Sequence, residues 1–525
     1  MTSGAENHLR LQYALWIGAA ATALAMLAYL LVLSPMYAVI GVVVVGWLIL
    51  LPYHSRIAVW VAVATFSSAL IMPFFPGRPY LWEFAALLAW SGLGITLFMR
   101  QNREDYWETM KKNRWIFIGV AGYCVVLVVT MLYRGVGLRI LGTAQMGGRF
   151  YFQQLTCAIF PLLFVIIPIT ERTLIRLFYL QCFLTATYLA SDFVFSLAPR
   201  RFWVFLQFIE LPGDAINFEI QSENFGLRRF QSLGIVGQGF VFAMLLRWRM
   251  REFLGFKSVY LLPLLGGVVG VGLLSGHRWV IVILGGTLVF CAFAQRLMTF
   301  KNTALISVTV AIGILCAYTF ARDLPLTVQR ALSVLPGINI DNQAFVDGAA
   351  TLETRRLLRQ VGMQMIPEYL WMGRGFGLSS AVDYSALWDP TGVTMHVNGG
   401  KFYNAYVGLM VNMGLFGTLF MLMFLVSGSM VALRIVFHLR RHGCGDPFLR
   451  LCSVVASLWM AHVVGFLFIH GDAEFAMKNF SFEVGILLVC DHLLKQRLLR
   501  RETANAAESE PKLETLPALH APMAR

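Results

Sequence analysis

Between residues 13 and 494 the chain is a close succession of apolar runs, each long enough or nearly long enough to cross a hydrocarbon layer, and this leaves few folds open. A helical span takes roughly 20 apolar residues, and about fourteen runs approach that length. They lie at 13–33, 36–52, 57–73, 81–98, 115–133, 152–169, 176–195, 231–247, 258–275, 279–295, 303–320, 402–433, 451–469 and 479–494. Lipid offers no partner for main-chain N–H and C=O groups, so each run must close its own hydrogen bonds as a helix. The expected fold is an all-α polytopic membrane protein with about 14 transmembrane helices and one long outer loop that itself contains helices. A mean hydropathy of +0.68 agrees, as do 58% hydrophobic and only 13% charged residues. The loops are too short to fold alone, which predicts one integral domain over residues 1–499. Residues 500–525 have no apolar period and are expected to form a disordered tail. The run at 13–33 is too long for the apolar core of a signal peptide and is read as the first span.

A net charge of +14 would suit nucleic acid in a soluble protein. Here the Lys and Arg residues fall in short loops between apolar runs, where they set orientation instead. The loop after the fourth run holds Arg100, Arg103, Lys111, Lys112 and Arg114, which places it in the cytoplasm. Alternation then puts Arg247 to Lys257, Arg296, Lys301, Arg434 to Arg450 and Lys495 to Arg501 on the same side, with both termini. The polar segment from Arg322 to Lys401 falls on the outer side of the membrane. Smaller outer patches are Arg134 to Arg149, Pro199 to Arg229 and the turn Ser275-Gly276-His277-Arg278. Phe202, Trp203, Phe205 and Phe208 resemble an interfacial helix at the entrance for a lipid. The eight cysteines show no CxxC pair or metal-ligand spacing and read as small core hydrophobes. No metal and no cofactor is expected.

Arg278 sits at the outer boundary between two apolar runs, where a guanidinium can meet a lipid headgroup or simply anchor the helix. In the long outer segment, Asp347 to Pro367 carries Leu357, Leu358, Val361 and Met365 at helical spacing, with Thr351 or Thr354 as caps. Arg355, Arg356 and Arg359 lie within just over one turn of it. Arginine presents a planar fork of donors that matches phosphate oxygens, so converging guanidiniums suit a diphosphate; the alternative is a solvated basic face. Gly373-Arg374-Gly375-Phe376-Gly377 is too short for a dinucleotide fingerprint and reads as a close-packed turn. His396, with an ordinary pKa of about 6.5, could take a proton from a sugar hydroxyl or be a plain loop histidine. His277 is a second candidate base. Tyr403 and Asn404 could orient the acceptor or serve as interfacial residues. Asp472 and Glu474 form a close acidic pair that could ligate a cation or act as base.

The order of these features is similar to that of the O-antigen ligase and O-antigen polymerase superfamily. The likeness rests on Arg229-Phe230-Gln231-Ser232-Leu233-Gly234, Ser275-Gly276-His277-Arg278, Arg355 with Gln360 to Ile366 leading to Gly373-Arg374-Gly375, and Tyr403-Asn404-Ala405-Tyr406-Val407 with Gly414-Leu415-Phe416-Gly417. It covers about Arg228 to Gly417. The resemblance implies a metal-independent glycosyltransferase that moves a glycan from undecaprenyl diphosphate to a hydroxyl of an acceptor glycan. Arg278, Arg355, Arg356 and Arg229 would hold the diphosphate, and His396, Tyr403, Asn404 or His277 would serve the acceptor. A flippase and a chain-length regulator would be neighbours in the bilayer. Ligases of this kind carry a histidine directly before the asparagine that opens the later span. Tyr403 stands there instead, which favours an exopolysaccharide or O-antigen polymerase over a ligase to lipid A core.

A transporter or flippase is the main rival, since many spans suit it. It would carry acids inside spans, of which Asp192 and Glu483 are the best here, and an inverted repeat, which is not evident. A structural scaffold would not need arginines at three separated outer sites.

Overall fold

The computed structural model describes residues 56–73, 78–98, 103–136, 147–167, 169–210, 232–377, 393–469 and 473–509, with scattered single positions elsewhere. Among them the chain is helical almost throughout, with no strand and only two isolated bridges, Leu70 with Ile209 and Ile71 with Tyr80. In chain order the helices are α1 (Arg56–Thr65), α2 (Leu81–Phe98), α3 (Arg103–Lys112), α4 (Arg114–Arg134), α5 (Gly148–Ala158), α6 (Phe160–Ile166), α7 (Glu171–Leu184) and α8 (Ala186–Ser196). After a 3-10 turn at Arg200–Gln207 come α9 (Ser232–Arg247), α10 (Ser258–Leu273), α11 (Arg278–Ala294), α12 (Phe300–Phe320), α13 (Leu326–Leu332), α14 (Asn342–Tyr369) and α15 (Val393–Asn398). Three long helices close the fold: α16 (Ala405–His442), α17 (Pro447–Phe468) and α18 (Ala473–Ser509).

Among the described residues six helical stretches are long and apolar enough to cross a membrane: Arg114–Arg134, Gly148–Ile166, Glu171–Phe195, Phe300–Asp323, Ala405–His442 and Pro447–Phe468. Five shorter apolar helices, Arg56–Thr65, Leu81–Trp90, Ser232–Arg247, Ser258–Leu273 and Arg278–Ala294, accompany them. The run expected at 57–73 is helical only to Thr65 and then turns. That expected at 152–169 is divided at Ile159, where Pro161 opens a new helix. The expected spans at 13–33 and 36–52 lie outside the described residues, apart from scattered positions. The final helix continues past Arg500 to Ser509, so the first part of the expected tail is helical; 510–525 lie outside the described residues.

Close helix packing needs small residues, because in lipid the main attraction between apolar helices is contact. A methyl group on Gly119 would sit 3.0 Å from the Phe424 backbone, which fixes how near α4 comes to α16. On Gly237 it would sit 2.9 Å from the Gly272 Cα, joining α9 to α10. Around Phe160, the rings of Phe66, Trp82, Phe164 and Phe482 interlock, with Phe66 and Phe482 stacked at 3.8 Å. By contrast α12 has no buried residue, and its Cys316 is exposed, unlike the buried Cys157, Cys182, Cys291, Cys452 and Cys490. The expectation of core cysteines therefore fails at Cys316, because among the described residues no neighbour buries any position of the helix that carries it.

Contacts also sort the helix ends. At one end Lys112 meets Asp491 at 2.9 Å, Arg434 donates to Asn113, Arg249 donates to the Gly445 carbonyl, and Arg497 bridges Glu171 and Asp446. These are the basic loops that alternation grouped together. The opposite end holds the start of α11 against Gly465 of α17, the start of α16 against Gly471, and the residues from Arg322 to Tyr403 that are described.

At that second end α16 is interrupted. Gly414 has φ of +69°, a left-handed conformation that favours glycine. The break frees the carbonyls of Val411 and Asn412, which accept from the Arg374 and Gly375 N–H groups at 2.7 and 2.9 Å. In return the Leu415 N–H donates to Leu370 at 2.7 Å. Irregular backbone among apolar helices is tolerated where the protein re-pairs it, and this segment does so. The Gly-Arg-Gly turn expected from sequence is thus a strap across a broken helix. A methyl group on Gly373 would lie 2.2 Å from the Asn412 carbonyl oxygen, a backbone atom that cannot swing aside. Gly373→Ala is expected to cost about 1 to 3 kcal/mol, read as a lower melting temperature of the purified protein.

Candidate functional site: an arginine cluster beside a histidine–tyrosine pair

The polar segment begins its long helix earlier than periodicity suggests. Asp341, whose carboxylate accepts from the Gln343 N–H at 2.8 Å, is the cap of α14. Thr351 and Thr354 are not caps: their hydroxyls donate back to the carbonyls of Asp347 and Ala350 within the helix. The reason is that Asn342 to Val346 also has helical partners, with Ala344 fully buried.

Arg330, on α13, ties the segment to the α11 turn. Its guanidinium bonds the Asp347 carboxylate, donates to the Gly276 carbonyl at 2.7 Å and to the Thr351 hydroxyl at 2.8 Å. Only 4% of Arg330 is exposed. This anchor places α14 over Arg278, which donates to the Ser333 hydroxyl at 2.6 Å. Gly348 provides the passage, since a side chain there would strike the Arg278 guanidinium at 2.7 Å.

Among the described residues Arg278 has one hydrogen bond for five donors, and its buried Nε has no partner there. It lies within electrostatic reach of two further guanidiniums, Arg330 and Arg355, and of one carboxylate, Asp347. Like charges gathered in a half-buried place raise the free energy of the site until an anion arrives.

Arg355 also faces Tyr403, its guanidinium 5.3 Å from the ring centre. The Tyr403 hydroxyl is 3.4 Å from Nδ1 of His396. Tyr403 has φ of +49°, which is costly for an aromatic residue, by about 1 to 3 kcal/mol. His396 is held from behind. Arg374 donates to the Val397 carbonyl at 2.7 Å, and Asn412, on the broken part of α16, donates to Gly400 at 2.9 Å. Burial lowers the pKa of Arg374, yet it stays a cation at any physiological pH. Its charge suits the C-terminal end of the short α15.

Of the residues expected from sequence, the fold brings Arg278 and Arg355 together, with Tyr403 and His396 beside Arg355. His277 immediately precedes α11, next to Arg278, without a side-chain capping bond, and its backbone N–H donates to the Ser275 hydroxyl at 3.3 Å. Asn404 caps α16, its side-chain oxygen accepting from the Val407 N–H at 3.1 Å, so half of its amide is occupied by structure. Arg356 is not gathered in. It is exposed and faces Glu353 across one turn at 3.9 Å, because α14 turns that side outward. Arg359 is likewise exposed. Arg229, Asp472 and the Glu474 side chain lie outside the described residues.

Sequence reasoning missed two features. Arg330 carried no motif, since a single arginine in a seven-residue helix has no pattern. His462 and Glu483 pair at 2.5 Å between α17 and α18, with the His462 ring parallel to that of Trp279, the residue after Arg278. Glu483 is recognisable as an acid within an apolar run, but its partner is 21 residues away. No metal-binding group of three or more His, Cys, Asp or Glu occurs among the described residues. Neither a protein-family model nor a curated protein sequence matches this chain.

Proposed function

We propose that the protein is a membrane glycosyltransferase that moves an undecaprenyl-diphosphate-linked oligosaccharide onto an acceptor glycan, as a polymerase of exopolysaccharide or O-antigen repeats. The observation that carries this reading is the under-bonded Arg278 guanidinium beside Arg330 and Arg355, with Tyr403 and His396 adjoining. In the reaction, an acceptor hydroxyl oxygen bonds to the anomeric carbon of the donor as the carbon–oxygen bond to the diphosphate breaks. The electron pair leaves with the diphosphate, where Arg278 and Arg355 stabilise the growing negative charge. His396 takes the hydroxyl proton, and Tyr403 holds the ring of His396 in place. A lipid diphosphate is a competent leaving group, so charge stabilisation and orientation are the main requirements.

In this reading about fourteen helices span a bacterial inner membrane, both termini are cytoplasmic, and the arginine end of the bundle is periplasmic. The sorting of basic loops to the opposite end supports that orientation. A lipid-linked glycan flippase is the second reading, and the His462–Glu483 pair within apolar helices favours it.

The test is surface polysaccharide from a deletion strain, separated on a gel together with its lipid-linked intermediates. A polymerase loses the ladder and keeps single repeats on the outer leaflet, a ligase loses all attached polymer, and a flippase traps repeats on the inner leaflet; either of the last two overturns the polymerase assignment. His396→Ala in a complementing gene is expected to slow transfer about 10²- to 10⁴-fold, measured as chain extension in membranes of matched protein content.

A further inference from the structure

Where the start of α18 packs against the start of α16, at the same end of the bundle as Arg355, stands a second cationic group. Lys478, in the second turn of α18, has its ammonium 5.0 Å from the Trp82 ring centre, 5.3 Å from Tyr80 and 5.8 Å from Phe66. Aromatic faces steady a cation but fill none of its three hydrogen-bond donors. Arg149 lies over the same Tyr80 ring at 5.5 Å. The nearby carboxylates are engaged. Glu83 accepts from the Tyr80 N–H at 2.8 Å and Gln153 at 2.6 Å and stands 3.7 Å from Arg149, and Glu210 accepts from the Tyr80 hydroxyl at 2.5 Å. Arg78, the third cation, donates to the Leu206 and Gln207 carbonyls. Among the described residues Lys478 has no hydrogen bond or close ion pair; it lies within electrostatic reach of Glu83 and is partly exposed.

The two cationic places are neighbours across one helix start. A methyl group on Gly408 of α16 would touch Ala473 of α18 at 3.0 Å, and one on Gly471 would strike Ala405. Tyr403 and Asn404 immediately precede Ala405, and Lys478 follows Ala473 by about one and a half turns.

We propose that Lys478 and Arg149 form a second phosphate-binding site, which takes the lipid-diphosphate headgroup of the acceptor while Arg278 and Arg355 hold that of the donor. This rests on the transferase reading above. It explains how one end of the bundle serves two lipid-linked glycans, with the acceptor sugar reaching back over Tyr403 to His396.

The full chain, purified in phosphatidylcholine nanodiscs and titrated calorimetrically with farnesyl diphosphate, is expected to bind two equivalents. Lys478→Met keeps an apolar stem against the three rings and should weaken one site at least tenfold, whereas Lys478→Arg should retain it. Arg278→Ala should weaken the other site alone. Unchanged binding by Lys478→Met overturns the proposal, as does equal affinity for inorganic pyrophosphate, which would mark a free-anion site. Displacement by equimolar phosphatidylglycerol would assign the site to bilayer phospholipid and likewise overturns it. Should Lys478→Met remove a site while Arg278→Ala removes none, the donor reading fails and the second site stands.

Discussion

Under the proposed transferase function, replacing Arg278 or Arg355 with alanine is expected to lower glycan transfer by about 10²- to 10³-fold, the usual effect of removing one donor from a charge-stabilising site. The amount of folded protein in the membrane should stay near normal. Arg278 contributes one hydrogen bond to the fold, to Ser333, and it crowds two other cations. Removing it relieves like-charge repulsion, so the structural loss is small even as the function goes. Lysine in either place keeps the charge but not the two-pronged fork, and should recover only part of the rate. The double alanine variant is expected to be little worse than either single, because both act on one departing group. The measurement is the pool of unextended lipid-linked repeats against ladder length. A normal ladder from either alanine variant, at normal abundance, would remove the arginine pair from the mechanism.

Arg330→Ala should behave in the opposite way. Arg330 is buried and bonds three separate places, the α11 turn at Gly276 and both Asp347 and Thr351 of α14. Its loss strands a carboxylate beside a helix and frees a buried carbonyl. Breaking a buried ion pair from one side costs about 3 to 5 kcal/mol. The melting temperature should therefore fall and the segment from Arg322 to Lys401 should become sensitive to protease, ahead of any change in the helices beneath. Activity falls too, but in step with the folded fraction, which separates Arg330 from Arg278 although the two lie side by side. A protease pattern identical to that of the parent protein would show that the Arg330 bonds do not hold the segment in place.

Much of the architecture was open to reading because lipid imposes a simple rule. A run of some twenty apolar residues must be a helix, whatever its neighbours do. That is why α4, α12, α16 and α17 coincide with expected spans. Reading was poorer where helices are short or interrupted, as at Ile159 in the expected span 152–169, since hydropathy records solvent preference and is blind to a local break. The helix start at Asp341 was missed for a related reason: residues 342–346 are neither strongly apolar nor periodic, and burial of Ala344 against neighbouring elements decides their conformation.

The site divides in the same way. Side-chain chemistry marked Arg278, Arg355, His396 and Tyr403 as candidates, each beside an ordinary structural alternative, because guanidinium and imidazole suit both a phosphate ligand and a plain helix boundary. It also pointed to Arg356, which the turn of α14 carries to the surface, one residue and about 100° away from Arg355. Nothing in the local sequence distinguishes those two arginines. The distinction comes from Arg330 and Gly348, which press one face of α14 onto the α11 turn.

Sequence alone determined that this chain folds as apolar helices and that one long polar segment, from Arg322 to Lys401, interrupts them, since composition and spacing are properties of neighbours along the chain. Tertiary structure decided which cations meet, through the strap of Gly373 to Gly375 across the break at Gly414 and through the buried Arg330 bonds. Those contacts join residues tens of positions apart, and their free energies depend on burial and geometry that no local pattern encodes.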